Sequence, residues 1–331
     1  MSAGAGPSIW WWAFGYFAAY APYSALTKAL SDGALGERVS GNAILPVSTS
    51  ASLVAMLVFI FSTGWWRFAS RRQVGRFSVP TPTRWTALSG LCGATILTTT
   101  TLAYTFEGVS IVFMMLLMRG GVLLMAPLVD LLSGRRVRWY SWVALGLTLS
   151  SLAVATLGRA ELRVSLLALV DVVLYLGAYF VRLRFMSRLA KSDDPSVTKR
   201  YFVEEQLVST PAALLALACF ALIGEGGLAE FRRGFVEVPF SAQLGWALVI
   251  GVLSQATGIF GALVLLDARE NSFSVPVNRA SSVLAGVVAT VGMAALALGK
   301  PLETAEAVGA GLVVLAILVL SVTPMLEKRR R

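Results

Sequence analysis

Three basic residues stand inside otherwise apolar stretches of the chain: Lys28, Arg119 and Arg279. A charge at the centre of a bilayer costs roughly 2.5–3.5 kcal/mol on insertion scales, so such a side chain faces an internal cavity, pairs with an acid, or reaches back to the interface. Arg119 falls near the middle of its stretch. Arg279 sits five or six residues into another, beside Asn278 and on a polar stripe with Ser274 and Ser281. A guanidinium is a planar fork that matches phosphate or carboxylate, so the two arginines read as cationic anchors for an anion. The competing reading makes Arg119 the structural counter-ion of Asp171 or Glu107. Lys28 is close enough to the end of its stretch to snorkel.

Other polar groups fall in register with these. Tyr16, Tyr20, Tyr23 and Thr27 are spaced 4, 3 and 4 and share one helical face, which suits either stacking on a ring-shaped substrate or an aromatic packing seam. Asp171, Tyr175 and Arg182 share a second face, with Tyr179 close by; Asp171 pairs with an arginine or takes a proton or substrate. Thr98 to Thr101 line a pathway or bond back to their own helix carbonyls. Glu204 and Glu205 read as first-turn residues that complement a helix dipole, with one of them left as a gate or proton site. Histidine is absent, and Cys92 and Cys219 are both in apolar stretches, so neither a metal site nor a disulfide framework is indicated. The adjacent pair Asp193–Asp194 stands alone in a basic connection. An integral membrane transferase needs more acid than that, and we expect no catalytic residues and no cofactor.

The elements that must position these groups follow from composition. Apolar residues make up 56% of the 331 and charged residues only 14%, against about 45–50% and about 25% in soluble domains. Roughly twenty apolar residues cross a bilayer as a helix, which gives ten spans: 9–30, 43–63, 85–106, 110–132, 139–157, 164–181, 201–223, 242–266, 274–298 and 305–322. The net charge of +10 suggests nucleic acid at first sight, but the basic residues are grouped in connections on one side. With the N-terminus placed inside, nineteen of the twenty-eight lie in cytoplasmic segments and six on the opposite side. This asymmetry predicts cytoplasmic termini and no nucleic-acid partner. The 23 arginines against five lysines suggest a GC-rich bacterial genome and an inner-membrane location.

The chain also repeats. Spans four and five read MMLLMRGGVLLMAPLVDLLSGRRVRWYSWVALG, and spans nine and ten read SFSVPVNRASSVLAGVVATVGMAALALGKPLETAEAVGAG. Each has an intramembrane arginine, a small residue, an apolar run and a Gly-plus-basic turn. The fold class expected is an all-α polytopic membrane protein of ten transmembrane helices in two inverted five-helix repeats, 1–158 and 159–331, because an odd number of spans per half reverses orientation. The segments GRRVRWYSWVALGLTLSSLAVATL, GKPLETAEAVGAGLVVLAILVLS and YFVEEQLVSTPAALLAL resemble the drug/metabolite transporter superfamily, nearest its nucleotide-sugar and triose-phosphate translocators. Arg135 and Lys300 stand where that family often has an acid after the glycine. Lys28 aligns with a lysine that the branch often carries late in its first helix. The resemblance implies transport of a small phosphorylated or nucleotide-sugar-like anion, by a monomer or homodimer in a lipid bilayer. A generalist exporter of amino acids or amphiphiles and a lipid-phosphate flippase are the alternatives.

Overall fold

In a computed structural model, residues 8–74, 77–103, 111–156, 166–192, 194–298 and 304–330 are described. Among apolar surroundings a backbone can satisfy its own N–H and C=O groups only within helices or closed sheets, and here it takes the helical solution. Among the described residues ten long helices fall on the ten apolar stretches: α1 (Ile9–Asp32), α2 (Gly41–Ser62), α3 (Arg84–Leu102), α4 (Ile111–Leu132), α5 (Trp139–Thr156), α6 (Leu166–Leu189), α7 (Pro195–Ile223), α9 (Leu244–Leu265), α10 (Asn271–Ala295) and α11 (Thr304–Arg330). A short helix, α8 (Ala229–Val236), follows α7. A two-stranded antiparallel ribbon, β1 (Arg71–Val74) and β2 (Phe77–Pro80), lies between α2 and α3. Among the described residues, five helices (α2, α6, α7, α9 and α10) are long and apolar enough to cross a membrane.

Local chemistry sets several ends. Ser40 accepts from the N–H of Ala43 at 3.2 Å and starts α2. Asp194 accepts from the N–H of Ser196 at 2.8 Å, and Pro195 occupies the first helical position. That combination starts α7 well before residue 201. Glu204 and Glu205 therefore lie more than two turns inside the helix, which corrects their reading as first-turn, dipole-complementing residues. The boundary between the expected halves, at 158 and 159, lies outside the described residues, as does Glu107.

Helix α1 packs on α9 and α10, and α6 packs on α3 and α4. Likewise α2 pairs with α9 and α3 with α7, while α2 meets α7, α4 meets α10 and α5 meets α11. In two of these pairings a glycine brings its helix against the backbone of the next. A methyl group at Gly251 of α9 would collide with the carbonyl oxygen of Ser48 on α2. One at Gly90 of α3 would stand 2.7 Å from the carbonyl oxygen of Glu205 on α7. The approach at Gly251 also lets the Ser52 hydroxyl donate to its carbonyl at 2.7 Å. Around the perimeter the large apolar side chains point outward, with Val54, Val58 and Phe61 on α2 and Leu166, Leu167 and Val173 on α6 all more than half exposed. Continuous apolar flanks of this kind suit lipid rather than water.

Candidate functional site

The central cavity of the bundle has a volume of about 430 Å³ and is walled by α1, α2, α3, α4, α6, α7, α9 and α10. Three arginines line it: Arg119 from α4, Arg182 from α6 and Arg279 from α10. Among the described residues no aspartate or glutamate lines it. The rest of its polar wall is uncharged, and includes Gln206 and Thr210 of α7 and Gln255 and Thr257 of α9.

Arg279 is positioned by its helix and by tyrosine. Its Nη2 donates to the Tyr179 hydroxyl at 2.9 Å, and its Cζ lies 5.4 Å from the centroid of the Tyr179 ring. Its Nε is buried and has no hydrogen-bond partner. Tyr179 in turn packs on Tyr175, with ring centroids 5.0 Å apart. The neighbouring Asn278 donates to the carbonyl of Gly261 at 3.2 Å. A methyl at Gly261 would stand 2.8 Å from the Tyr16 ring, so this glycine is what lets α1, α9 and α10 converge on the wall.

The α1 stripe lines the cavity through Tyr16, Tyr20 and Tyr23, whose successive ring centroids are 5.6 and 5.7 Å apart. The rings pack on one another along the helix and also border the space.

Arg182 differs from Arg279 in being held by an acid. Glu205, fully buried behind the wall, receives its Nε at 2.8 Å and its Nη2 at 3.1 Å. Glu205 also accepts from the Ser89 hydroxyl at 2.7 Å, and Ser89 is 2.6 Å from the Tyr201 hydroxyl. A bidentate pair with its remaining lone pairs satisfied is the arrangement a buried ion pair requires. The Arg182 charge is thereby matched inside the protein.

Glu204 faces elsewhere. It accepts from the N–H groups of Ser70 and Thr83 at 2.9 and 3.2 Å, from Thr86 Oγ1 at 2.7 Å and from Arg200 Nε at 3.0 Å. It fastens the ribbon segment to α7.

Of the residues singled out in the sequence, the fold brings Arg119, Arg279, Tyr20, Tyr23, Tyr179 and Asn278 to one cavity wall. Tyr175 stands behind Tyr179. Asp171 is buried on α6 away from the lining, and its Oδ2 has no hydrogen-bond partner. Lys28 is exposed near the end of α1, 3.3 Å from Asp32. Thr98, Thr99 and Thr100 donate to carbonyls one turn earlier at 3.0, 2.7 and 2.6 Å, although Thr100 also borders the cavity.

One end of the bundle is tied by Asp130 and Lys191, which the sequence did not single out, together with Arg135. Asp130, fully buried at the end of α4, accepts from both N–H and side-chain amide of Asn271 and from both N–H and hydroxyl of Ser272, at 2.7 to 2.9 Å. Those are the first residues of α10, so the carboxylate satisfies donors that a helix start leaves open and complements its dipole. Arg135 donates to the carbonyls of Ala268 and Ser187 at 2.9 and 3.1 Å. Lys191 Nζ donates to the Arg269 carbonyl at 2.7 Å and to Ser274 Oγ at 3.0 Å. Burial pushes the Lys191 ammonium down to about 7, aided by the Arg135 charge and opposed by the carboxylates of Asp130, Asp267 and Glu270.

No protein-family model matches the chain, and no curated protein matches it. Solved structures resemble it. One, described only as "Crystal structure of protein", has a TM-score of 0.54 at 14% identity, over 94% of this chain and 96% of that one. At that identity the likeness is one of fold alone.

Proposed function

We propose that the chain is a membrane carrier for a small organic anion, working by alternating access around the central cavity. The observation that carries this reading is Arg279, a half-buried arginine on the cavity wall with a buried Nε. Its neighbours are tyrosines and its Nε has no partner. A buried charge is stable only when paired and hydrogen-bonded, and an anionic ligand supplies both to this wall. Arg119 adds a second cation, and the tyrosine rings offer faces for a base or sugar.

Ten spans in two inverted five-helix repeats fit the packing. When α1, α2, α3 and α4 are exchanged with α6, α7, α9 and α10, the pairs α1·α9, α1·α10 and α2·α9 become α6·α3, α6·α4 and α7·α3, all of which occur. The pairs α2·α7 and α4·α10 map onto themselves. This exchange pattern and the quoted motifs together support membership of the drug/metabolite transporter superfamily. The distribution of basic residues supports cytoplasmic termini.

The reading is tested by thermal unfolding of the purified chain with phosphorylated sugars, nucleotides, amino acids and lipids. A ligand at a hundred times its Kd stabilises by about 2.7 kcal/mol. We expect stabilisation by phosphorylated or carboxylated compounds, lost in Arg279→Gln. Stabilisation by uncharged amphiphiles that survives Arg279→Gln transfers the case to the generalist exporter.

A further inference from the structure

The segment between α2 and α3 carries five arginines and no acidic residue from 63 to 84. It is held in a fixed shape. Glu204 grips it at Ser70 and Thr83, the Thr81 N–H donates to the Ser70 carbonyl at 2.7 Å, and β1 and β2 form a ribbon between them. Its single-turn helix, Trp65–Phe68, presents Trp66 at the edge of the bundle.

Trp66 joins two environments. Its ring lies 6.3 Å from that of Phe61, which ends the outward apolar face of α2 formed with Val54 and Val58. The Cζ atoms of Arg71 and Arg67 lie 4.8 and 5.7 Å from its ring centroid. Both arginines are exposed, and among the described residues neither pairs with a carboxylate. An apolar flank, then an indole, then two guanidinium forks reproduces the order of acyl chain, interface and phosphodiester in a lipid leaflet. Stacking on the indole restricts the forks before any ligand arrives, so less freedom is lost on binding.

We propose that Trp66, Arg67 and Arg71 form a binding site for the headgroup of an anionic phospholipid. The site is separate from the cavity and stands whether or not the carrier reading does. A merely topological role for these charges needs no indole platform and no fixed ribbon.

The test is native mass spectrometry of the full chain, released from detergent containing equal amounts of phosphatidylglycerol and phosphatidylcholine. We expect retained phosphatidylglycerol to exceed phosphatidylcholine. Because each arginine near a charged leaflet is worth about 1 kcal/mol, Arg67→Gln/Arg71→Gln should cut the preference by about 30-fold. The pair Arg136→Gln/Arg188→Gln removes as much charge elsewhere and should leave the preference in place. Equal losses in the two pairs, or none in either, overturn the site. Arg67→Lys/Arg71→Lys guards against a folding defect by keeping charge without the planar fork. It should retain a reduced preference, and one equal to wild type overturns the stacked geometry. Complete displacement of the lipid by millimolar inorganic phosphate overturns the assignment to lipid.

Discussion

Asp130 at the end of α4 grips Asn271 at the start of α10 twice, through the backbone N–H at 2.9 Å and the side-chain amide at 2.8 Å. With Ser272 added, one carboxylate satisfies four donors in a place that water does not reach. Removing it leaves two backbone N–H groups orphaned. We expect Asp130→Ala to lower stability by about 3 kcal/mol in thermal or denaturant unfolding, because hydrogen bonds to charged groups are worth about 1.5–3 kcal/mol each and losses within one cluster do not add. Asp130→Asn should fall between that variant and wild type.

Arg279→Ala should abolish uptake into proteoliposomes while the protein stays monodisperse, since the contacts the side chain makes among the described residues are with Tyr179, its hydroxyl and its ring. Arg279→Lys keeps the charge without the fork and should retain partial transport. Full transport in the alanine variant removes the main support for an anion carrier.

Asp171 separates two roles for Arg119. If the arginine is a structural counter-ion, Arg119→Ala destabilises the protein and Asp171→Asn restores it. Asp171 itself is buried, and its Oδ2 has no hydrogen-bond partner. We expect Asp171→Asn alone to leave the unfolding midpoint unchanged or raised, because an amide is cheaper to bury than an unsatisfied carboxylate. We also expect no rescue of transport in the double variant.

Lys191 gives a pH dependence with a definite sign. Its folded value of about 7 lies below the ordinary lysine value, so between the two the unfolded chain holds more protons. The cost of burying the charge is fully present below pH 7 and is relieved as pH rises toward about 10. Wild-type stability should therefore gain a rising component over that window. Lys191→Met should flatten the slope, and an unchanged slope shows that Lys191 does not titrate there.

The cavity wall was legible because a charge or hydroxyl in an apolar stretch has few places to go. That logic led from Arg119, Arg279, Tyr20, Tyr23 and Asn278 to a shared site. It misplaced Glu204 and Glu205, because α7 starts at Pro195 and the extra turns are polar enough to read as a connection. It put Arg182 on the face of Asp171 and Tyr175 without carrying it to the site, since the span was expected to end at residue 181 and α6 continues past it. Asp130 was invisible as a clasp because its partners are more than 140 positions away, and an acid near a helix end looks like an edge residue. The strands of the ribbon are four residues each, too short for periodicity to stand out, and Glu204 holds its base from another helix.

The two glycine contacts have a mechanical consequence. At Gly251 and Gly90 the backbones of α9 and α3 touch carbonyls of α2 and α7, and such interlocked surfaces resist sliding because any axial shift drives backbone into backbone. Each pair is then a plate that can tilt but not shear. Those two plates meet through α2 and α7, while α4 and α10 meet each other at the same cavity. Asp130 ties α4 to the start of α10 at one end, so under the proposed alternating access any tilt of one plate against the other would have to work against that one small cluster of polar groups.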